Sequence, residues 1–296
     1  MSFSIERYKD FQRFNEQYEE IYQFLLAVAD NRYNEHFHWG RFEWMMMHTM
    51  LDVDKLNRVA IFRDENDKIT GLVTYDTEFE DSTYLIHLRN DIDLLKLMVD
   101  FALLNYENNG KIVIKVNSND NILCDVLSKY QFIKKNKKHT VLQIGLSRDL
   151  TYQIPPNYKM SPKNFVCDDW KYQMVIHKGF NHEGIPEKWN DDFFKPTPNY
   201  NRAFSVFAMN IDEYCAHCGI WYTKGETAYI EPVVTIPECR NIGLAKAVVY
   251  EAMNRAKELG AKRAIVLSGK EFYYRIGFEI SSEVYCWEYN KFQEIQ

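Results

Sequence analysis

Ile230-Glu231-Pro232-Val233-Val234-Thr235-Ile236-Pro237-Glu238-Cys239-Arg240-Asn241-Ile242-Gly243-Leu244-Ala245-Lys246-Ala247 reads as a β-branched strand, a tight turn and the opening of a helix. A helix start carries backbone N–H groups without intrahelical partners, together with the positive end of the helix dipole. It can therefore hold a pyrophosphate if no side chain blocks the approach. Gly243 and Ala245 keep that approach open, and Arg240 offers a charge partner for a phosphate. The spacing Arg-x-x-Gly-x-Ala is neither the Gly-x-Gly-x-x-Gly dinucleotide pattern nor the P-loop with its Gly-Lys-Ser/Thr. Pro232 cannot donate to a sheet ladder, which fits a strand at a bulge or a splayed pair.

Working outward from this segment, Phe204 to Asn210, Tyr214 to Tyr222 and Tyr229 to Thr235 read as strands, and about Ile242 to Leu259 as a helix that Gly260 ends. Ala261 to Ser268 is the next strand and Lys270 to Ile276 a short helix, after which Phe278 opens the closing strands. The first half follows the same order. The three-and-four spacing of Phe11, Phe14, Tyr18, Ile21, Tyr22, Leu25 and Val28 predicts a helix over Tyr8 to Ala29, and Arg41 to Leu51 reads as a short buried helix with methionine filler. Asp52, Asp54 and Asn57 are turn material. Arg58 to Arg63 and Ile69 to Tyr75 form a hairpin about the turn Asp64 to Lys68. A helix over Asp91 to Tyr106, a strand over Lys111 to Asn117, a helix over Asn121 to Tyr130 and a strand ending at Leu146 complete the half.

Landmarks recur at a fixed separation: Gly71 and Gly219 are 148 residues apart, and Tyr130-Gln131-Phe132 and Ile276-Gly277-Phe278 are 146 apart. This points to an old duplication, with the break at Ser147 to Pro162, where Pro155-Pro156-Asn157 interrupts periodicity. The expected domains are 1–148 and 149–296. Strands alternating with helices, with hairpins in front, argue for mixed α/β sheets flanked by helices.

The chain has 296 residues, 36 Lys plus Arg against 42 Asp plus Glu, and a formal charge of -6. That balance disfavours nucleic-acid binding through phosphate neutralisation. The longest apolar run, Phe24 to Ala29, is far short of the roughly 18 residues of a membrane span, and the N-terminus lacks the order of a secretory signal. Six irregularly spaced cysteines suit reduced thiols, and with them a cytoplasmic location. Cys215-Ala216-His217-Cys218 has the look of a metal-ligand pair, but on a strand its thiols point to opposite faces and no second pair follows, so no metal site is expected. Lys134-Lys135-Asn136-Lys137-Lys138 reads most simply as a solvated hairpin turn.

The 230–247 segment resembles the acetyl-CoA motif of the GCN5-related N-acetyltransferase (GNAT) superfamily, Arg/Gln-x-x-Gly-x-Gly/Ala, and Phe272-Tyr273-Tyr274-Arg275-Ile276-Gly277-Phe278 is similar to that superfamily's Tyr-x-x-x-Gly-Phe ending. The likeness is strongest over Ala203 to Phe278. In the first half Asp81 to Asp93 holds no glycine where the pyrophosphate turn belongs, and Gln131 stands in the place of Gly277. The chain thus resembles bacterial tandem-GNAT proteins with a degenerate N-terminal copy and one working site, each copy a mostly antiparallel, centrally splayed sheet flanked by helices.

The resemblance implies roles. The pantetheine arm of acetyl-CoA pairs with the backbone of Val233, Val234 and Thr235. The pyrophosphate rests on the N–H groups of Asn241, Ile242, Gly243, Leu244, Ala245 and Lys246, with Arg240 beside it. Glu231 is the candidate general base, because the attacking amine must be uncharged while an amine near a pKa of about 10.4 is protonated at neutral pH. Tyr273 is the candidate acid for the departing thiolate, with Tyr274 as its neighbour and rival on the cofactor side. Backbone N–H near Val233 or Val234 meets the oxyanion. Cys239 is read as a neutral filler beside Arg240 rather than a reactive thiol, and His182 as a surface or structural histidine on a loop that could border the acceptor pocket.

The expected function is acetyl transfer to a primary amine of a small molecule. A non-catalytic CoA-binding or sensing protein, and an aminoacyl or peptidyl transferase of related fold, are the alternatives. The aromatic residues Trp39, Phe42, Trp44, Trp189, Phe193, Phe204 and Trp221 report burial as much as recognition. The sequence does not decide between a monomer and a homodimer.

Overall fold

The structure is a computed structural model that describes residues 2–9, 12–48, 51–76, 82–187 and 197–292. In chain order its elements are β1 (Ser4–Arg7), α1 (Glu16–Val28), α2 (Trp39–Met47), β2 (Ala60–Arg63), β3 (Ile69–Tyr75), β4 (Ser82–His87), α3 (Ile92–Asn105), β5 (Lys111–Asn117), α4 (Asn121–Lys129), β6 (Ile133–Gly145), β7 (Lys159–Met160), α5 (Asp169–Gly179), β8 (Ser205–Met209), β9 (Tyr214–Trp221), β10 (Thr227–Thr235), α6 (Leu244–Glu258), β11 (Arg263–Leu267), α7 (Glu271–Arg275) and β12 (Glu279–Asn290). The chain forms two compact units. The first comprises Met1–Leu142, Leu267–Gly269 and Ile280–Gln296, and the second Gln143–Val266 and Lys270–Glu279. The chain thus passes into the second unit at Gln143, six residues before the expected domain start, and the C-terminal strand returns to the first unit.

In the first unit the strand order is β1-β2-β3-β4-β5-β12-β6. The pairs β1–β2, β2–β3, β3–β4 and β5–β12 are antiparallel and β4–β5 is parallel. In the second unit the order is β11-β10-β9-β8-β7, with β10–β11 parallel and the rest antiparallel. Both are mostly antiparallel mixed sheets carrying helices, the α/β class that the sequence predicts. The repeat is visible in the backbone as well: Gln131 and Gly277, matched in sequence, are both left-handed, at φ 63° and 93°.

Several boundaries differ from the sequence reading, each for a local reason. The helix predicted from Tyr8 begins only at Glu16, because the Asn15 side chain accepts from Tyr18 N and caps it, while Ser4–Arg7 pairs with β2 instead. The methionine helix runs Trp39–Met47, and the Asp52 to Asn57 turn is a 3-10 turn over Val53–Arg58. Strand β4 lies inside the stretch read as a loop, and α5, which buries only Gln173 and Val175, has too weak a stripe to announce itself. The lysine run is not a hairpin turn. It lies within β6, where Lys138 pairs with Glu283 and Lys135 with Glu288 at 3.4 Å, both acids on β12. The closing segment is one strand, β12, not several.

Among the recognition candidates, Trp39, Phe42, Trp44, Phe204 and Trp221 are buried in the cores of their units, while Trp189 and Phe193 lie outside the described residues, as does Phe11 of the first helix's predicted stripe. All six cysteines are free thiols. No helix among the described residues is long and apolar enough to cross a membrane.

Candidate active site

The second unit carries a strand that leaves one neighbour while distorting against the other. β10 pairs with β11 only through Thr227↔Arg263, Ala228↔Ala264 and Tyr229↔Ile265, yet it runs on to Thr235. Along its other edge β9 follows it throughout, with a break in register: Ile230 faces Ile220, Val233 faces Cys218, and the two residues Glu231 and Pro232 bulge against Gly219. The Glu231–Pro232 peptide is cis. Gly219 is what admits this bulge. A Cβ at that position would stand 2.5 Å from the Glu231 carbonyl oxygen, and Trp221 Nε1 donates to the same oxygen at 3.0 Å.

The direction of the free edge follows from alternation. Ile236 N donates to Cys215 O on the β9 side, so Val234 N–H points that way too, and Val233 and Thr235 point toward the gap left by β11. Of the two residues considered for meeting an oxyanion, Val233 therefore has the N–H on the open side. The Thr235 side-chain hydroxyl is buried without a hydrogen-bond partner.

Beyond the strand, a 3-10 turn over Pro237–Cys239 leads to α6. Asn241 and Gly243 take left-handed conformations, at φ 64° and 92°, and Gly243 occupies the helix N-cap without any side-chain cap. A Cβ on Gly243 would meet no atom within 4 Å, so the space in front of the first-turn N–H groups is open. Asn241, Ile242, Gly243 and Lys246 are exposed, Ala245 half-buried and Leu244 buried, and Lys246 lays its ammonium 5.0 Å from the Tyr250 ring. A strand edge unpaired toward β11, leading to an open, uncapped helix start, suits a ligand with an amide-bearing arm and a pyrophosphate.

Arg240 sits differently from the expectation of a phosphate partner. Its Nε donates to Thr235 O at 3.0 Å, and its Nη2 donates to Gly179 O at 3.0 Å and to Asn181 Oδ1 at 2.9 Å. It thereby ties the end of β10 to the loop after α5. Gly179 packs so closely on the strand that a Cβ there would lie 2.5 Å from that of Val234. His182 is exposed on this loop, its ring 5.5 Å from His177. Cys239 is buried, its thiol 3.7 Å from Tyr158 Oη.

Glu231 is half-buried and accepts from Tyr229 Oη at 2.7 Å through Oε2. Tyr273, on α7, is 6% exposed and held edge-on between Phe272 and Phe278. Burial, followed by the influence of Cys218 and Glu231, raises its phenol far above the ordinary value, so it keeps its proton. Tyr274 faces solvent. The structure thus places Glu231 in the bulge, within electrostatic reach of Tyr273, and sets Val233 through Lys246 along the open edge and turn. Tyr229, Trp221, Gly179 and Asn181 were not singled out for roles in the sequence, although the i, i+2 spacing of Tyr229 and Glu231 on one strand is a readable signal.

The first unit keeps the splay and fills it. β4 pairs with β5 only from Ser82↔Val113 to Tyr84↔Lys115 and then continues to His87. There Asn34 Nδ2 donates to His87 O at 2.7 Å, the imidazole Nε2 lies 2.7 Å from Asp120, and the Tyr33 ring stacks on it at 4.9 Å. The Asp91 carboxylate caps α3, accepting from Asp93 N and Leu94 N. The N–H groups that would greet an anion are therefore already taken, and by negative charge.

Comparison with known proteins agrees with this geometry. Residues 170–278 match the model of the acetyltransferase (GNAT) family. No curated protein matches the chain. Among solved structures, a tandem GNAT protein from the clavulanic acid biosynthesis pathway aligns over 99% of this chain and 100% of its own, at 10% identity and a TM-score of 0.59. A GCN5-related N-acetyltransferase from Sphaerobacter thermophilus covers 99% and 97% at 12% identity and TM-score 0.56, and one from Kribbella flavida 74% and 87% at 14% and 0.51. The chain carries a GNAT-family acetyltransferase domain at 170–278, within a fold shared with tandem GNAT proteins.

Proposed function

We propose that the protein is an acetyl-CoA-dependent N-acetyltransferase with one working site, in the second unit, acting on a primary amine of a small molecule. The observation that carries this reading is the β10 edge from Glu231 to Thr235, unpaired toward β11 and continuous with the uncapped glycine start of α6. When bound, acetyl-CoA supplies an acetyl group activated as a thioester. Val233 and Thr235 would hold its arm through backbone groups, and Asn241 to Lys246 its pyrophosphate through N–H groups. Arg240 shapes that turn by bracing Thr235 and Gly179.

The chain's own chemistry is proton management. Glu231 takes a proton from the incoming ammonium, directly or through one water, because an amine of pKa about 10.4 is otherwise unreactive at neutral pH. Tyr273 retains its proton in its buried setting and supplies it to the leaving sulfur. The first unit is read as a degenerate copy whose cleft its own side chains occupy. The excess of acidic side chains favours a cationic acceptor such as a polyamine, an aminoglycoside or an amino sugar. A cytoplasmic location, and the absence of nucleic-acid and membrane partners, go with this reading.

Calorimetric titration of acetyl-CoA into the wild-type protein and into Gly243→Glu tests it. Binding near one per chain is expected, lost in the variant, whose side chain fills the open approach. No binding to the wild type would overturn the proposal.

A further inference from the structure

Glu231 stands where a catalytic base should be hardest to hold. It lies in the bulge, two residues past Tyr229, the last residue of β10 that β11 supports. A carboxylate on such a segment has backbone and side-chain freedom to wander, and a base displaced by about 1 Å loses much of its effect. Two donors oppose that freedom from opposite ends of the residue. Trp221 Nε1 holds the main-chain oxygen at 3.0 Å, and Tyr229 Oη holds Oε2 at 2.7 Å. Tyr229 is itself fixed. It is 4% exposed and occupies the last rung paired on both sides, facing Trp221 on β9 and Ile265 on β11.

We propose that Tyr229 is a positioning residue for the base, its phenol reaching from the last rigid rung of the sheet to fix the rotamer of Glu231 and to stabilise the ionised carboxylate. This rests on the reading of Glu231 as the base. The spacing explains why a tyrosine serves here: residues i and i+2 of a strand share a face, and a phenol spans that distance while a serine or threonine hydroxyl does not. A neutral donor is also the suitable partner. An arginine or lysine would hold the carboxylate more strongly but would lower its basicity further and place a cation where a cationic amine must approach. Tyr273 of α7 and Cys218 of β9 belong to the same cluster, and burial keeps both protonated, so neither competes as an anion.

The test reads Glu231 directly. The full-length protein is labelled with 13Cδ-glutamate, the Glu231 resonance is assigned by its loss in Glu231→Gln, and its titration is followed in the wild type and in Tyr229→Phe. Removing the donor should raise the Glu231 midpoint by about one unit, the usual scale of one hydrogen bond to a carboxylate. An unchanged midpoint in a folded variant overturns the proposal. A second arm screens spermine and kanamycin as acceptors with acetyl-CoA. With whichever amine is acetylated, Tyr229→Phe should shift the acidic limb of kcat by the same amount and leave KM for acetyl-CoA unchanged. Added to Glu231→Gln it should cost nothing more, and a further loss in that double variant overturns the positioning role. If Tyr229→Phe does not fold, Tyr229→Met, which likewise carries no donor, replaces it: the same rise of about one unit in the Glu231 midpoint is expected, and an unchanged midpoint overturns the proposal. Absence of acetyl-CoA binding would sink the transferase reading, while the resonance arm still decides the coupling of Tyr229 to Glu231.

Discussion

Gly71 and Gly219 hold equivalent places in the two copies, 148 residues apart, yet they meet different neighbours. A Cβ at Gly219 would lie 2.5 Å from the Glu231 carbonyl oxygen, which is backbone, whereas at Gly71 its nearest contact is the Met98 sulfur at 2.8 Å, the far part of a flexible side chain. Main chain in a bulge cannot step aside without giving up the register, but a methionine can change rotamer. Gly219→Ala should therefore destabilise the protein by about 1–3 kcal/mol and Gly71→Ala by less than about 1 kcal/mol, read from urea unfolding midpoints at constant slope. Equal losses would mean that the bulge does not depend on the close approach at Gly219.

At the scale of elements, the Arg240 side chain joins two pieces that the sequence keeps far apart: the end of β10, and the end of α5 with the Asn181 loop that follows it. If its part is to shape the turn, then Asn181→Ala, a residue assigned no ligand contact, should weaken acetyl-CoA binding several-fold in calorimetry, by loss of one charge-assisted hydrogen bond worth about 1.5 kcal/mol. Unaltered affinity would return Arg240 to the simpler part of a phosphate partner. What the sequence disclosed follows the same division. β3 and β5 were legible to the residue because β-branched runs sit between clear turn signals. The turn and its glycine were legible because strand, turn and helix start are written in consecutive residues. β4 was hidden because its Ser82–His87 run carries polar residues that are all buried, and α5 because it offers almost no apolar stripe. The Arg240 clamp and the Trp221 contact were illegible because they join residues distant in sequence through side chains whose aim only the packed backbone sets.

For the molecule as a whole, the decisive feature is β12, made at the C-terminal end and seated in the first unit between β5 and β6. It pairs with β5 along seven residues, from Val284↔Asn117 to Asn290↔Lys111, and buries Val284, Cys286 and Trp287. A fragment ending at residue 148 keeps the sequence of the first copy but leaves β5 as an unpaired apolar edge. Such a fragment should be insoluble or unfold without cooperativity, and fusing residues 279–292 after a flexible linker should restore a single sharp transition in thermal circular dichroism. A cooperative transition in the bare fragment would show that β12 is dispensable to that unit.

The same strand fixes an order of events on the ribosome. Ile280 is synthesised roughly 140 residues after Leu142, an interval of about 7–30 s at ordinary elongation rates. Throughout it the first unit's sheet has one place vacant, between β5 and β6. The second unit needs nothing beyond Glu279. The half that is translated second is therefore the half that can finish folding first.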